Sequence, residues 1–130
     1  MAGGRKAVTS GHELRQRVAT LGRELGLDVR EEVVVGRRIW GAKRAIDVVV
    51  TRPSDGRTLG IECKYQASRG STDEKLPATI LDIAAWPIPG LVVYDGDGWS
   101  PGIRSYLDST GKAVTFNDLA SWVKLYFGLR

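Results

Sequence analysis

At 130 residues the chain is the size of one domain, and with 42% hydrophobic and 26% charged residues it can build an ordinary core and is not disordered. No apolar run approaches the ~20 residues of a membrane span, the start lacks the apolar stretch of a secretory signal, and one cysteine excludes an intrachain disulfide or a Cys-based zinc cluster. A cytoplasmic protein is expected. The net charge of +4 is uneven: residues 1–69 hold 14 Lys and Arg against 8 Asp and Glu, net +6, and residues 70–130 hold 5 against 7, net −2. A basic half suits a polyanionic partner, although a mildly basic soluble surface has the same composition.

Residues 1–8 read as a mobile basic arm carrying Arg5 and Lys6. Thr9 and Ser10 are caps for a helix over about 11–25, with Leu14, Val18, Leu21 and Leu25 as its apolar stripe and Gly26 as its stop. Val29 to Val35 reads as a first strand, with Glu31 and Glu32 near its start. Residues 36–44 form a Gly-punctuated basic turn containing Arg37, Arg38, Lys43 and Arg44, with Trp40 at its tip. Ala45–Val50 and Leu59–Tyr65 are two further strands, and the Pro and Asp-Gly of residues 52–57 connect them as a hairpin. Residues 67–72 are a small polar loop that includes Arg69. A helix follows from Asp73 to about Trp86, capped by Ser71 or Thr72, with Pro77 in its first turn or at a kink. Leu91–Tyr94 is wholly apolar, as expected of a buried parallel strand. After the turn at residues 95–98 come a short helix at 101–109, a strand at 112–116 and a helix at 117–127. Trp122, Tyr126 and Phe127 read first as core aromatics, and because that last helix is apolar on too many sides for a surface helix they are also candidate anchors for a second subunit. Three strands on short turns make an antiparallel meander, and a crossover helix adds a fourth. The expected fold is an α/β sandwich around a central mixed sheet.

Three side chains carry the chemistry. Alternate residues of a strand share a face, so Leu59, Ile61, Cys63 and Tyr65 point one way, and Gly60, Glu62, Lys64 and Gln66 the other. The neighbouring strand brings Asp47. Glu62 and Lys64 alone fit a solvated strand face. Asp47, between Ile46 and Val48, does not, because an acid in so apolar a run needs a partner or an ion. Two close carboxylates repel unless a cation lies between them, and a hard, oxygen-lined site with few protein ligands suits Mg²⁺. Cys63 lies on the apolar face and reads as a buried thiol. His12 reads as an exposed helix residue. Ser10-Gly11-His12-Glu13 matches a capping box, in which Glu13 bonds the Ser10 amide.

Helix with Glu13, strand, strand with Asp47, strand with Glu62-Cys63-Lys64, helix, strand: this order resembles the PD-(D/E)XK nuclease superfamily, with Ile46 where the name pattern has Pro. The resemblance implies a restriction-endonuclease-like fold in which Asp47, Glu62 and the backbone carbonyl of Cys63 bind Mg²⁺, or Mn²⁺ in its place, with Glu13 reaching the metal through water. Lys64 would orient or deprotonate the attacking water and stabilise charge on the phosphate. Gln66 would contact the scissile phosphate or a water ligand, unless it ends its strand in solvent. Arg5, Lys6, Arg37, Arg38, Trp40, Lys43, Arg44 and Arg69 are the candidates for holding DNA. Size, charge and motif order are similar to the small archaeal-type Holliday junction resolvases, which implies a homodimeric endodeoxyribonuclease acting on four-way junctions. A restriction-type endonuclease is the alternative, since Lys64-Tyr65-Gln66 followed by Ser71-Thr72-Asp73-Glu74-Lys75 resembles some of those enzymes. A non-catalytic DNA-binding module is a further one, against which the intact Asp47, Glu62 and Lys64 stand.

Overall fold

A computed structural model describes residues 8–37, 41, 43–68 and 76–130. The elements run α1 (Gly11–Glu24), β1 (Asp28–Arg37), β2 (Lys43–Thr51), β3 (Thr58–Tyr65), α2 (Leu76–Ala84), β4 (Gly90–Asp95), α3 (Pro101–Thr110), β5 (Ala113–Thr115) and α4 (Phe116–Phe127). The sheet order is β1-β2-β3-β4-β5. β1, β2 and β3 are antiparallel neighbours, and β4 and β5 add in parallel. The expected mixed sheet is present.

Each face of the sheet has its own core. Val48, Val50, Leu59, Ile61, Leu91 and Val93 meet Leu14 and Val18 of α1 and Leu119, Val123 and Phe127 of α4. On the other face Ile46, Val49, Val92 and Tyr94 meet Leu76 and Ile83 of α2, Leu107 of α3, and Trp86. The alternation read from β3 holds: Leu59 and Ile61, with Cys63 and Tyr65 beside them, join the α1–α4 core. Gly60 faces the other way, where a Cβ would come within 2.9 Å of the Trp86 ring. Gly90, its partner in β4, faces the same indole, so paired glycines seat Trp86 against the sheet.

Ser10 caps α1, its side chain accepting from the Glu13 amide, and Gly26 takes a left-handed φ of 81° after the last turn. β1 and β2 run further toward their connection than expected, so Arg37, Lys43 and Arg44 sit on strand ends rather than in a loop. Arg5, Lys6, Arg38, Trp40 and Arg69, and the expected caps Ser71 and Thr72, lie outside the described residues. α4 corrects one expectation. Phe127 is fully buried and cannot anchor a partner. The core stripe Phe116, Leu119, Val123, Phe127 takes up half of the helix's apolar residues. Trp122 and Tyr126 are partly buried beside it and stack on each other at 5.4 Å.

Candidate active site

The register of β2 with β3 runs from Thr51↔Thr58 to Val48↔Ile61. Asp47 and Glu62 come next, and there a side chain takes over from the backbone: Asp47 Oδ2 accepts the Cys63 N–H at 2.9 Å. The alternation of β2 also breaks at this point. Ile46 and Val48 are two residues apart yet enter opposite cores. The strand therefore twists through Asp47. Facing it on β1, between the pairs Glu31↔Val48 and Val33↔Ile46, Glu32 has a φ of 51°. That conformation costs a non-glycine residue roughly 1–2 kcal/mol. Such strain gathers where a surrounding site over-determines the backbone. Arg15 of α1 spans the gap, 3.1 Å from Glu32 Oε1 and 3.9 Å from Asp47 Oδ1.

Glu62 and Lys64 share the face toward α2, with Lys64 Nζ 3.5 Å from Glu62 Oε2. Glu62 is largely buried, and its Oε1 has no hydrogen-bond donor among the described residues. Burial first, then the charge of Asp47, pushes its carboxyl up to about 7, with Lys64 pulling the other way. Burial, followed by Asp47 and Glu62, also drives the Cys63 thiol well up, so it stays a protonated, structural thiol. Glu62 and Lys64 line a cleft of about 640 Å³, with Arg44 beside them and α2 as the opposite wall.

These groups fit a hard divalent cation. A buried carboxylate oxygen without a donor, beside a second carboxylate, is the position a cation satisfies. The Cys63 N–H points at Asp47, and the N–H and C=O of one strand residue point the same way, so the Cys63 carbonyl is turned toward the same gap. Among the described residues no three His, Cys, Asp or Glu side chains come together as a metal group. Two carboxylates and a carbonyl leave places for water, which suits Mg²⁺.

The remaining expected residues fall in different places. The Glu13 carboxylate accepts from Thr9 Oγ1 at 3.2 Å and lies 2.9 Å from Arg17 Nη2. The Glu13 side chain thus contacts Thr9 and Arg17 rather than the Ser10 amide. Gln66 is neither a solvent-exposed strand end nor aimed at the cleft by its amide nitrogen. It is buried just past β3, where Nε2 donates to the Gly98 carbonyl at 2.8 Å and its own carbonyl accepts the Gly98 N–H. It ties β3 to the turn after β4. Arg37 donates to the Gly41 carbonyl, Lys43 is exposed, and Arg44 lies 3.3 Å from Asp82 of α2. Arg15, Glu32 and Asp82 escaped the sequence reading, because nothing in their local pattern marks them. Arg15 is two residues after Glu13 and on a different face of the helix from Leu14, which is a signal only once the helix is placed over β2.

The chain is similar to known proteins. One solved chain, a protein of unknown function designated AF1548, matches with a TM-score of 0.54 and 23% identity over 78% of this chain and 56% of its own. A repair endonuclease from Pyrococcus abyssi matches with a TM-score of 0.44 and 9% identity over 84% of this chain and 47% of its own. This chain thus spans about half the length of either. A comparison with curated proteins finds no match. The family model of the PD-(D/E)XK nuclease superfamily domain matches residues 6–125, which include the α1 cap, Asp47, Glu62 and Lys64. On nearly its whole length the chain belongs to the PD-(D/E)XK nuclease superfamily.

Proposed function

We propose that the chain is a Mg²⁺-dependent endonuclease that hydrolyses DNA phosphodiester bonds in the cleft between β3 and α2. The observation that carries this is the buried Glu62 Oε1, without a donor among the described residues, beside Asp47 and Lys64. Asp47, Glu62 and the Cys63 carbonyl hold the ion. When bound, it supplies Lewis-acid stabilisation of the phosphate and lowers the pKa of a water. Lys64 orients that water through its ammonium and offsets the negative charge that develops on phosphorus-bound oxygen. The water oxygen bonds to phosphorus and gives up a proton to solvent, the bridging P–O bond breaks, and the departing oxygen takes up a proton from solvent. Arg37, Lys43 and Arg44 hold the backbone to either side, a salt-dependent contact that carries no sequence information.

Asp47→Asn and Glu62→Gln should each abolish cutting of a plasmid in Mg²⁺ while leaving most of the DNA binding, and EDTA should stop the wild type. Cutting by either variant at the wild-type rate would remove the assignment. RNA of the same sequence, run in parallel, decides the sugar preference.

The finer reading is a homodimer selective for four-way junctions. Size, the basic first half and the motif order support it. Two cuts in a junction call for two sites related by symmetry. With Phe127 in the core, the surface for that contact is the outer side of α4, where Leu125 is 84% exposed beside the Trp122–Tyr126 stack. The test is joint: a dimer in solution, and junctions cut in preference to linear duplex at matched salt. A strict monomer that cuts a short duplex sequence would be a restriction-type enzyme.

A further inference from the structure

The catalytic cleft holds a second charged pair besides Lys64 and Glu62. Arg44, at the start of β2, reaches across to Asp82 of α2, with Nη2 3.3 Å from Oδ1. Both side chains are mostly covered, at 23% and 20% exposure, and both line the cleft with Glu62 and Lys64. Among the described residues the rest of the wall around Asp82, with Ala78 and Ala85, carries no charge. Asp82 therefore faces the path of any phosphate that approaches Lys64.

Asp82 suits Arg44 poorly. Charge-assisted N–H···O bonds are typically about 2.7–2.9 Å, and arginine binds carboxylate or phosphate best with two donors at once. Here the contact is longer and uses one nitrogen. The Arg44 Nε is buried and has no acceptor among the described residues. A phosphodiester presents two unbridged oxygens and satisfies Nε and Nη2 together.

We propose that Arg44 is a phosphate-binding residue for the strand being cut, and that Asp82 is a built-in competitor occupying its place until nucleic acid displaces it. The proposal rests on the nuclease reading and adds a determinant of affinity to it. Productive entry then requires a strand that brings a phosphate to Arg44 and another to Lys64. A ligand offering a single phosphate exchanges one ionic partner for another at either position and gains little.

The test is a double-mutant cycle on binding, with Ca²⁺ replacing Mg²⁺ to prevent cutting. The probe is a fluorescein-labelled duplex, read by anisotropy across a salt series. Asp82→Asn should tighten binding about fivefold, the scale of a partly exposed ion pair. Arg44→Ala should weaken binding and lower the slope of log K against log salt by about one, the signature of one lost phosphate contact. In the Arg44→Ala background Asp82→Asn should have no effect, because Arg44 is no longer there to be released. Thermal melts verify folding, and Asp82→Ser serves if Asp82→Asn melts early. The proposal is overturned if Asp82→Asn leaves binding unchanged or weaker, or if its gain persists without Arg44, which would mark a general charge effect. The nuclease reading survives either result. It falls, and this proposal with it, if the wild type binds neither duplex, junction nor single strand.

Discussion

Glu62→Gln should make the metal-free protein more stable, and the gain should depend on pH. Glu62 is mostly buried, 18% exposed, and its carboxyl is pushed from an ordinary 4.5 up to about 7 by burial and by Asp47. Below about pH 4.5 the group is protonated in the folded and unfolded chain alike, and it costs nothing. From there to about 7 the unfolded chain ionises while the folded one keeps its proton, so stability falls with rising pH. Above about 7 the cost is constant, roughly 3 kcal/mol. Glutamine never ionises and can donate to Asp47. The variant should therefore match wild type near pH 4 and exceed it by roughly 2–3 kcal/mol near pH 8, in EDTA. Denaturant titrations followed by circular dichroism at both pH values read this directly. Adding Mg²⁺ at a thousandfold excess over Kd should reverse the order, because the ion binds folded wild type only and then contributes about 4.1 kcal/mol. Asp47→Asn should give a smaller metal-free gain, since burial outranks Asp47 as the cause. If Glu62→Gln is instead less stable at high pH without metal, Glu62 is an ordinary partner of Lys64 and the site is not built for a cation.

Two further predictions concern what positions the site. Gly60→Ala places a Cβ 2.9 Å from the Trp86 ring and 3.2 Å from Ile46, with Gly90 and Ile83 enclosing the same indole, so the ring must move. The expected cost is about 1–3 kcal/mol, read as a lower melting temperature, and an unchanged melt would mean that Trp86 is not seated on the glycine pair. Ser10→Ala should cost roughly 0.5–2 kcal/mol by removing the α1 cap, whereas Glu13→Gln should cost less stability, because the cap bond uses the Glu13 amide and not its side chain. If Glu13→Gln slows cutting without lowering the melt, its carboxylate acts on the reaction despite its contacts with Thr9 and Arg17.

The order of elements, the two faces of β3 and the seat of Asp47, Glu62 and Lys64 are legible in the amino-acid sequence by itself, because a two-residue period and turn chemistry act locally. The apolar neighbours of Asp47 are the most informative residues, since burial of an acid demands a partner whatever the fold. Partners distant in sequence are not legible. Arg15 and Asp82 gain their meaning only when α1 and α2 are laid over opposite faces of the sheet. Gln66 reads as a site residue from its alternation; what the alternation does not show is that the chain leaves the strand after Tyr65 and its Nε2 donates to Gly98. Phe127 reads as a candidate anchor as well as a core aromatic because an apolar helix does not announce which side the sheet will cover. Periodicity along one segment determines which residues share a face. Only packing between segments decides which face is buried, which charges meet across it, and therefore which carboxylate keeps an oxygen open for a cation.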